Sequence, residues 1–292
     1  MNVFVPIQNM KQMHEVISCD AFAVILSTAF CSVKTQNPLN NSELTQLAKE
    51  ALQKEIPWYL SVNRMILQSE WKALEREIVF AETLAPTGYI VSDLGVMHYL
   101  KKYYPDRKIV LQTDTTITQS HDTGILLSMG ADLVVLAREL TLDEITEIVR
   151  QYPNHTAISA FGYQVMSTSS RPLLSNYFQH IHKDENVLYQ RYTLQEEGRM
   201  ERYPAMQDEH GFHIFAPGVL EIFDEVRALE EVGMKNVMID TLFIDDETVL
   251  TAIQALNQKI NPDVAKAEIS KKYPLTKALY YTATSAVKVV SE

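Results

Sequence analysis

Cysteine and glycine are scarce in this sequence. Two cysteines among 292 residues, Cys19 and Cys31, cannot build a disulfide framework or supply four thiolates to an iron–sulfur cluster. The 9 glycines form neither a GxGxxG nor a GxxxxGK[ST] pattern, so the chain lacks the usual phosphate-binding loops of nucleotide-binding folds. These absences disfavour a small disulfide-bonded protein, a chain that binds its own cluster and a dinucleotide-binding enzyme.

Long apolar runs are missing as well. No stretch approaches the roughly 18 to 20 uninterrupted apolar residues of a membrane span. The first residues, MNVFVPIQNMKQMHEV, lack the basic start, apolar run and small-residue cleavage site of a secretory signal. We therefore expect a cytoplasmic protein with no membrane partner.

Positive charge is in deficit. The chain has 26 Lys and Arg against 37 Asp and Glu, a net charge of −11. Such a surface repels phosphate backbones, which argues against a wide nucleic-acid-binding face on this chain alone. A local basic cleft, or a partner that brings the positive surface, is still compatible with the charge. With 46% hydrophobic residues, the composition is that of a globular protein. A length of 292 residues suits one large domain or two small ones.

Short apolar runs alternate with amphipathic segments along most of the chain, as repeated β/α units require. Ser42, Ser69 and Thr141 are predicted to cap helices. The predicted parallel strands are Val3–Ile7, Ala21–Leu26, Trp58–Asn63, Gly88–Asp93, Ile109–Asp114, Leu133–Arg138, Thr156–Gly162 and Asn236–Asp240.

This pattern predicts an α/β fold, a TIM-like (β/α)₈ barrel over residues 1–260. The rival is an open doubly wound sheet, which would usually carry a glycine-rich loop after its first strand. At about residues 176–215, between the seventh and eighth units, the pattern indicates a β-hairpin insertion. A helix is expected from Val219 to Val232, and residues 261–292 are expected to form a C-terminal helix and tail.

Polar residues end the predicted strands, where a barrel places its binding mouth. The ligand-binding candidates are Asp93, Asp114, Arg138, Glu139 and Tyr163. The planar guanidinium of Arg138 suits a carboxylate or a phosphate. Two alternatives stay open: Asp93 and Asp114 could cap helices, and Arg138 could form an ion pair with Asp114 or Glu139. Asp240 likewise ends the eighth strand.

The segment Phe161–Phe178 follows neither a helical nor a strand period, and it contributes two more ligand-binding candidates. Ser169 would present a hydroxyl and Arg171 a cation, unless the segment is only a loop that covers the barrel. As a nucleophile Ser169 is weak, since no GxSxG surrounds it. No catalytic residue can be assigned from the sequence.

Metal binding is not predicted. The spacings His180-x-His182 and His210-x-x-His213 are short and come without a third ligand or an HExxH motif. Cys31 is expected to be a lone buried thiol.

Three stretches together resemble the peptidase U32 family, also called collagenase-like proteases. They are ADLVVLARELTLDEITEI (Ala131–Ile148), FGYQVMSTSSRPLLSNYF (Phe161–Phe178) and RYTLQEEGRMERYPAMQDEHGFHIF (Arg191–Phe215). They keep the family's order and spacing, so the similarity covers most of residues 1–260. The length of the chain is similar to that of the shorter of two U32 paralogues found side by side in Firmicutes.

The resemblance implies a TIM-like barrel and two different activities. The family was named for collagen degradation, a hydrolase function. Other members act in oxygen-independent hydroxylation, including formation of 5-hydroxyuridine at the tRNA wobble position with prephenate as oxygen source. Several members work as heteromeric pairs, and several hold an iron–sulfur cluster on four cysteines.

The chain departs from the cluster-bearing pattern, HGALCxxxSGRC. Val165 and Pro172 stand where cysteines would, whereas Gly162, Ser169 and Arg171 match. The resemblance therefore implies no iron–sulfur cluster on this chain, and a partner would have to bring one.

The leading hypothesis is an accessory or substrate-positioning subunit in tRNA wobble-uridine hydroxylation, paired with a longer U32 paralogue and reaching tRNA through the complex. Arg138 and Arg171 would hold prephenate in a mouth more positive than the chain around it. The alternatives are a peptide hydrolase with an activated nucleophile or metal, and a non-catalytic binding subunit. A homo-oligomer is also open.

Overall fold

The computed structural model describes residues 1–198 and 200–282. The strands in chain order are β1 (Asn2–Pro6), β2 (Ala23–Leu26), β3 (Trp58–Val62), β4 (Gly88–Val91), β5 (Lys108–Gln112), β6 (Leu133–Val135), β7 (Thr156–Ser169), β8 (Tyr192–Leu194), β9 (Tyr203–Asp208), β10 (Gly211–Glu221), β11 (Asn236–Ile239) and β12 (Leu275–Thr276). The helices are α1 (Met10–Ser18), α2 (Asn41–Gln53), α3 (Trp71–Glu82), α4 (Leu94–Tyr103), α5 (Ser120–Ser128), α6 (Leu142–Gln151), α7 (Leu173–His180), α8 (Phe223–Glu231), α9 (Asp246–Leu256) and α10 (Pro262–Ser270).

Eight parallel strands close into a barrel, which confirms the predicted TIM-like fold. Strands β1 to β7 pair in sequence, and β11 closes the ring between β7 and β1. The closure is in register from Asn2 opposite Asn236 to Phe4 opposite Met238. Among the described residues, no helix is both long and apolar enough to cross a lipid bilayer.

The strands bury both faces, because the barrel has an apolar interior and an outer layer of helices. On β2, Ala23 and Ile25 belong to the interior cluster, whereas Val24 and Leu26 pack in the larger core beneath the helices. The interior cluster consists of Phe4, Ala23, Ile25, Tyr59, Ile90, Val110, Leu133, Val135, Ala157 and Met238.

The helix starts depend on which side chain reaches the free amides. Thr141 caps α6 in a capping box with Glu144, as predicted. The prediction for α2 was wrong: Asn40 is the cap, accepting hydrogen bonds from the amides of Ser42 and Glu43 at 2.9 and 3.1 Å. Asparagine is as good an N-cap as serine, so the helix begins after Asn40, the earlier of the two polar residues. Ser69 does not cap α3 but lies in a 3₁₀ turn before it.

The insertion is larger than the sequence indicates. Strand β7 continues past the barrel to Ser169, and β10 pairs with it antiparallel from Phe212 opposite Ser169 to Glu221 opposite Phe161. The segment read as irregular is therefore strand followed by α7, and the helix expected from Val219 begins only at Phe223. Pairing between strands about 50 residues apart leaves no local period in the sequence, which is why both boundaries were wrong.

Strands β8, β9 and β10 form an antiparallel sheet on this extension, with a tight turn between β9 and β10. A small core of Leu174, Val187, Ala205 and Phe212 joins α7 to the sheet. The chain then returns to the barrel, and β12 pairs with β10 through Leu275 opposite Val219. Residues 283–292 of the expected C-terminal tail lie outside the described residues.

Replacing Gly88 with alanine should weaken the barrel. A methyl group there would collide with the backbone carbonyl of Lys108 on the neighbouring strand. Overpacking against backbone costs about 1–3 kcal/mol, so we expect the free energy of unfolding in urea to fall by about 2 kcal/mol. Gly95→Ala, near the start of α4, is the matched control and should cause no loss, since alanine is the better helix former. Equal losses in both variants would contradict this account.

Candidate functional site

A cavity of about 110 Å³ opens at the carboxyl ends of the barrel strands. Its floor is the top of the interior core, formed by Ile25, Ile90, Val135 and Met238. Its wall is polar, with Gln8, Ser27, Lys34, Thr35, Ser61, Asn63, Gln112, Asp114, Arg138, Ser159, Tyr163, Gln164, Asp240 and Thr241. An apolar floor beneath a polar wall suits a small polar ligand. We call this cavity the mouth.

An ion pair between Lys34 and Asp114 crosses the mouth. Nζ of Lys34 lies 2.6 Å from Oδ2 of Asp114, and the side chains are 14% and 32% exposed. Lys34 comes from the loop after β2 and Asp114 from the loop after β5. Both residues have a left-handed backbone, with φ of 62° and 67°. Two non-glycine residues in this region cost free energy that the surrounding structure must supply, and such strain concentrates at functional sites.

Arg138 leaves the end of β6 and lines the same cavity. Its Nε lies 3.4 Å from Oε1 of Glu139, so the predicted ion pair with Glu139 exists but is long. Across residues 1–198 and 200–282, its two terminal nitrogens make no hydrogen bond within the protein. Most of the guanidinium fork is therefore available to an anionic ligand.

Asp240 stands at the end of β11, close against β7. Gly162 on β7 has φ of 117°, and a side-chain carbon there would collide with the backbone carbonyl of Asp240 and lie 2.7 Å from its Cβ. Glycine at this position thus allows the two strands to meet beside the carboxyl group. Oδ1 of Asp240 accepts a hydrogen bond from the amide of Leu242 at 2.9 Å. Burial raises the pKa of Asp240 to about 6; Asp114 adds to the rise, while the Leu242 amide and Lys34 oppose it.

The mouth is less negative than the protein around it. Its charged side chains are Lys34, Arg138, Asp114 and Asp240. Two positive and two negative charges sum to zero, and protonation of Asp240 makes the sum +1, whereas the whole chain carries −11. An anionic ligand in the mouth is therefore repelled less than it would be at the acidic surface of the protein.

The insertion brings one more cation to the rim. The guanidinium of Arg191 lies 5.5 Å from the ring centre of Tyr163 and 5.1 Å from that of Phe243. Its Nη2 donates to the Tyr163 hydroxyl at 3.4 Å. Tyr163 is buried and lines the cavity, so Arg191 stacks over the wall of the mouth from outside the barrel.

The structure brings Asp114, Arg138 and Tyr163 together and places the other candidates elsewhere. Asp93 caps α4, where Oδ1 accepts from the amides of Gly95 and Val96. Glu139 touches Arg138, and its Oε2 is buried without a hydrogen-bond partner among the described residues. Ser169 and Arg171 lie at the outer end of β7, where the Arg171 amide donates to the Ser169 hydroxyl at 3.2 Å. None of these four lines the cavity.

Sequence reasoning missed Lys34 and Arg191. Lys34 is eight residues past the end of β2, inside a turn-rich loop, and Arg191 lies within the insertion. Neither has a strand-end position or lies in the segment Phe161–Phe178, so no local pattern in the sequence indicated them for the mouth. Their places depend on how the loops fold back over the barrel.

The residues present do not fit a four-cysteine cluster. Cys19 follows α1 at the foot of the barrel, whereas Cys31 follows β2 at the mouth end. Both are buried, as expected for Cys31, and burial raises the pKa of the Cys31 thiol to about 12. Within the described ranges, no three His, Cys, Asp or Glu side chains are grouped so as to hold a metal ion.

Comparison with known proteins gives one family. The sequence profile of Peptidase family U32 matches residues 8–287. Among solved structures, the U32 peptidase Mk0906 superposes with a TM-score of 0.52 at 11% identity, covering 82% of this chain and 92% of that one. At this identity the likeness concerns the fold.

The chain has curated relatives with functional names. The chain is 24% identical to tRNA hydroxylation protein P2 of Bacillus subtilis over 249 residues, 84% of this chain and 81% of that protein. It is 29% identical to tRNA hydroxylation protein P of Escherichia coli over 174 residues, 59% of this chain. The match spans only 38% of the length of the Escherichia coli protein.

The raised pKa of Asp240 predicts a pH-dependent effect of Asp240→Asn. Below about pH 4 the carboxyl is protonated in both the folded and the unfolded protein, so the substitution should change little. Between about pH 4 and pH 6 the unfolded protein ionises this carboxyl while the folded protein keeps it protonated, so the stability of the wild type falls relative to that of the variant. We expect Asp240→Asn to be more stable than wild type by up to about 3 kcal/mol at pH 8. Urea unfolding at pH 4 and pH 8 measures this, and an identical difference at both pH values would contradict it.

Proposed function

Because the chain belongs to peptidase family U32, we propose that it acts in tRNA hydroxylation and holds a small anionic ligand in the mouth of its barrel. The observation that carries the proposal is the guanidinium of Arg138, which lines the cavity with two terminal nitrogens free of protein partners in the described part of the chain. The names of the relatives supply tRNA hydroxylation as the process. The product that we propose, 5-hydroxyuridine at the wobble position, is what the resemblance to the family implies.

Prephenate is the ligand that we propose. It carries two carboxylates, and the planar fork of Arg138 can bind one of them in a bidentate manner. The sequence pointed to Arg171 for the second carboxylate, but that side chain is exposed on the insertion. Lys34, whose ammonium lies in the mouth, is better placed for this role. The hydroxyl and amide groups of the wall would bind the remaining polar atoms of the ligand.

We further propose that the chain is an accessory or substrate-positioning subunit of a longer U32 paralogue. Its two cysteines do not fit a cluster, so chemistry that needs one has to take place on another chain. The net charge of −11 disfavours a wide contact with RNA, which the partner would provide in the cytoplasm. A non-catalytic binding subunit would share these properties but would leave tRNA hydroxylation unchanged when removed.

The peptide hydrolase alternative lacks a comparable observation in the mouth. It needs a hydroxyl or thiol activated by a neighbouring base. Ser169 interacts with the amide of Arg171, and the thiol of Cys31 is held protonated by burial. A hydrogen-bonded chain of Thr168, His213 and Asp208 does exist, but it belongs to the insertion.

Arg138→Ala should abolish the function without unfolding the protein. In a strain lacking the gene and grown without oxygen, so that oxygen-dependent hydroxylation contributes nothing, we expect 5-hydroxyuridine derivatives to disappear from tRNA. Wild type should restore them, and Arg138→Ala should restore roughly a tenth or less, since hydrogen bonds to a charged group contribute about 1.5–3 kcal/mol. Mass spectrometry of tRNA nucleosides measures the outcome.

Arg150→Ala is the control. Arg150 is an exposed arginine in the last turn of α6, at the opposite end of the barrel, and its removal leaves the same net charge as Arg138→Ala. It should restore the modification fully. Unchanged nucleosides in the deletion strain, or equal restoration by the two variants, would overturn the proposal. Calorimetric titration of the purified protein with prephenate separates loss of the ligand from loss of the fold.

A further inference from the structure

A buried carboxylate of the insertion contacts the loop that carries Lys34. Asp208 ends β9, and its Oδ2 accepts a hydrogen bond from the backbone amide of Lys34 at 3.0 Å, across 174 positions of sequence. Asp208 is 4% exposed. A buried carboxylate is stable only when its oxygens are satisfied, so the bond to Lys34 is part of what keeps Asp208 inside the protein.

A histidine orients this carboxylate. Nε2 of His213 lies 2.9 Å from Oδ2 of Asp208, and Nδ1 lies 3.1 Å from the hydroxyl of Thr168 on the paired strand. Oδ1 of Asp208 accepts from the amide of His210 at 2.9 Å. Burial by itself would raise the pKa of Asp208, but the bond and charge of His213, with the amides of Lys34 and His210, hold it below its usual value. The carboxylate is therefore ionised and fixed in direction.

A second contact reaches the same loop. Nε2 of His210, in the turn between β9 and β10, lies 2.7 Å from the backbone carbonyl of Ala29. The loop that carries Lys34 is thus tied to the insertion at two points five residues apart. Both contacts come from the end of β9 and the turn after it, so they hold the loop against the hairpin.

Lys34 needs this support because of its backbone. Its φ of 62° is left-handed, a conformation that steric contact between the Cβ and the backbone disfavours. The same residue sends its ammonium to Asp114 in the mouth. If the amide lost its acceptor, the backbone would relax to negative φ, and the side chain would leave its position opposite Asp114.

We propose that Asp208 is a positioning residue for Lys34, so that the insertion sets the position of a ligand-binding ammonium inside the barrel. His213 acts through Asp208 by fixing the direction of its carboxylate. The role of Lys34 as a ligand contact rests on the proposed function, whereas its attachment to Asp208 does not. The insertion is then part of the binding site through Asp208, a residue that does not itself line the mouth.

Chemical labelling of lysines tests the attachment without any ligand. In the full-length wild type, Lys34 should react slowly with an amine-acetylating reagent, because its ammonium is ion-paired and 14% exposed. Asp208→Ala should accelerate acetylation of Lys34 by roughly fivefold, the effect of losing one supporting hydrogen bond. Asp208→Asn keeps a carbonyl acceptor for the amide and should retain most of the protection. Peptide mass spectrometry gives the rate at each lysine.

Lys101 is the internal control. It pairs with Asp132 at 2.8 Å and is 21% exposed, at the other end of the barrel. Its rate should stay constant in all variants. An unchanged rate at Lys34, or equal acceleration at both lysines, which indicates general loosening, would overturn the proposal. If Asp208→Ala does not fold, His213→Phe, which removes the hydrogen bond and keeps a ring, replaces it with the same expected pattern.

A double-mutant cycle with prephenate then tests the consequence for binding. Asp208→Ala should weaken prephenate binding in the wild type and have no further effect in a Lys34→Met background, since the first change displaces the ammonium from the mouth and the second removes it. Independent, additive losses would show that Asp208 does not act through Lys34. Failure of prephenate to bind the wild type would count against the proposed ligand alone, because the labelling result does not depend on it.

Discussion

The antiparallel pairing of β10 with β7 is the constraint on which the rest of the site depends. Strand β7 belongs to the barrel over its first half and to the insertion over its second half. Its partner β10 carries His213 on the extension and ends at the barrel with Glu221. One ladder, with register shifts after Ile214 and after Phe215, therefore joins two layers that would otherwise be linked only by loops. This rigidity lets a hairpin outside the barrel determine the position of a lysine within it.

The mouth contains both strained backbone and charged side chains. Lys34 and Asp114, which both have a left-handed backbone, form an ion pair across it. Asp240 lies close enough for both charges to affect the pKa of its carboxyl. A free lysine and a free aspartate on a flexible loop would point to solvent, where such a pair contributes little. Here neighbouring strands, the Asp208 carboxylate and the close approach at Gly162 hold the groups in place. The result is a small region of neutral or positive charge within a strongly acidic protein.

The family relationship and the individual side chains support different parts of the proposed function. Membership of peptidase family U32 supplies the barrel and its insertion, and the relatives named for tRNA hydroxylation supply a reaction. Neither determines what this chain contributes to it, because one fold hosts many functions. Arg138, Lys34 and the two buried thiols support a ligand-holding subunit, and they are properties of this sequence in particular.

The sequence by itself determined the alternation of strands and helices, the closed barrel and the family. These depend on the local spacing of apolar residues, on helix caps such as Thr141 and on the order of the motifs, all of which can be recognised from the sequence alone. It also indicated Asp114, Arg138 and Tyr163 for the mouth, because the carboxyl ends of parallel strands converge at one end of a barrel. Only the tertiary structure decided that β7 extends to Ser169, that Asp93 caps a helix and that Arg171 lies outside the cavity. Lys34, Arg191 and Asp208 likewise became visible only there, since loops and strands distant in sequence meet through packing and hydrogen bonds that no local pattern records.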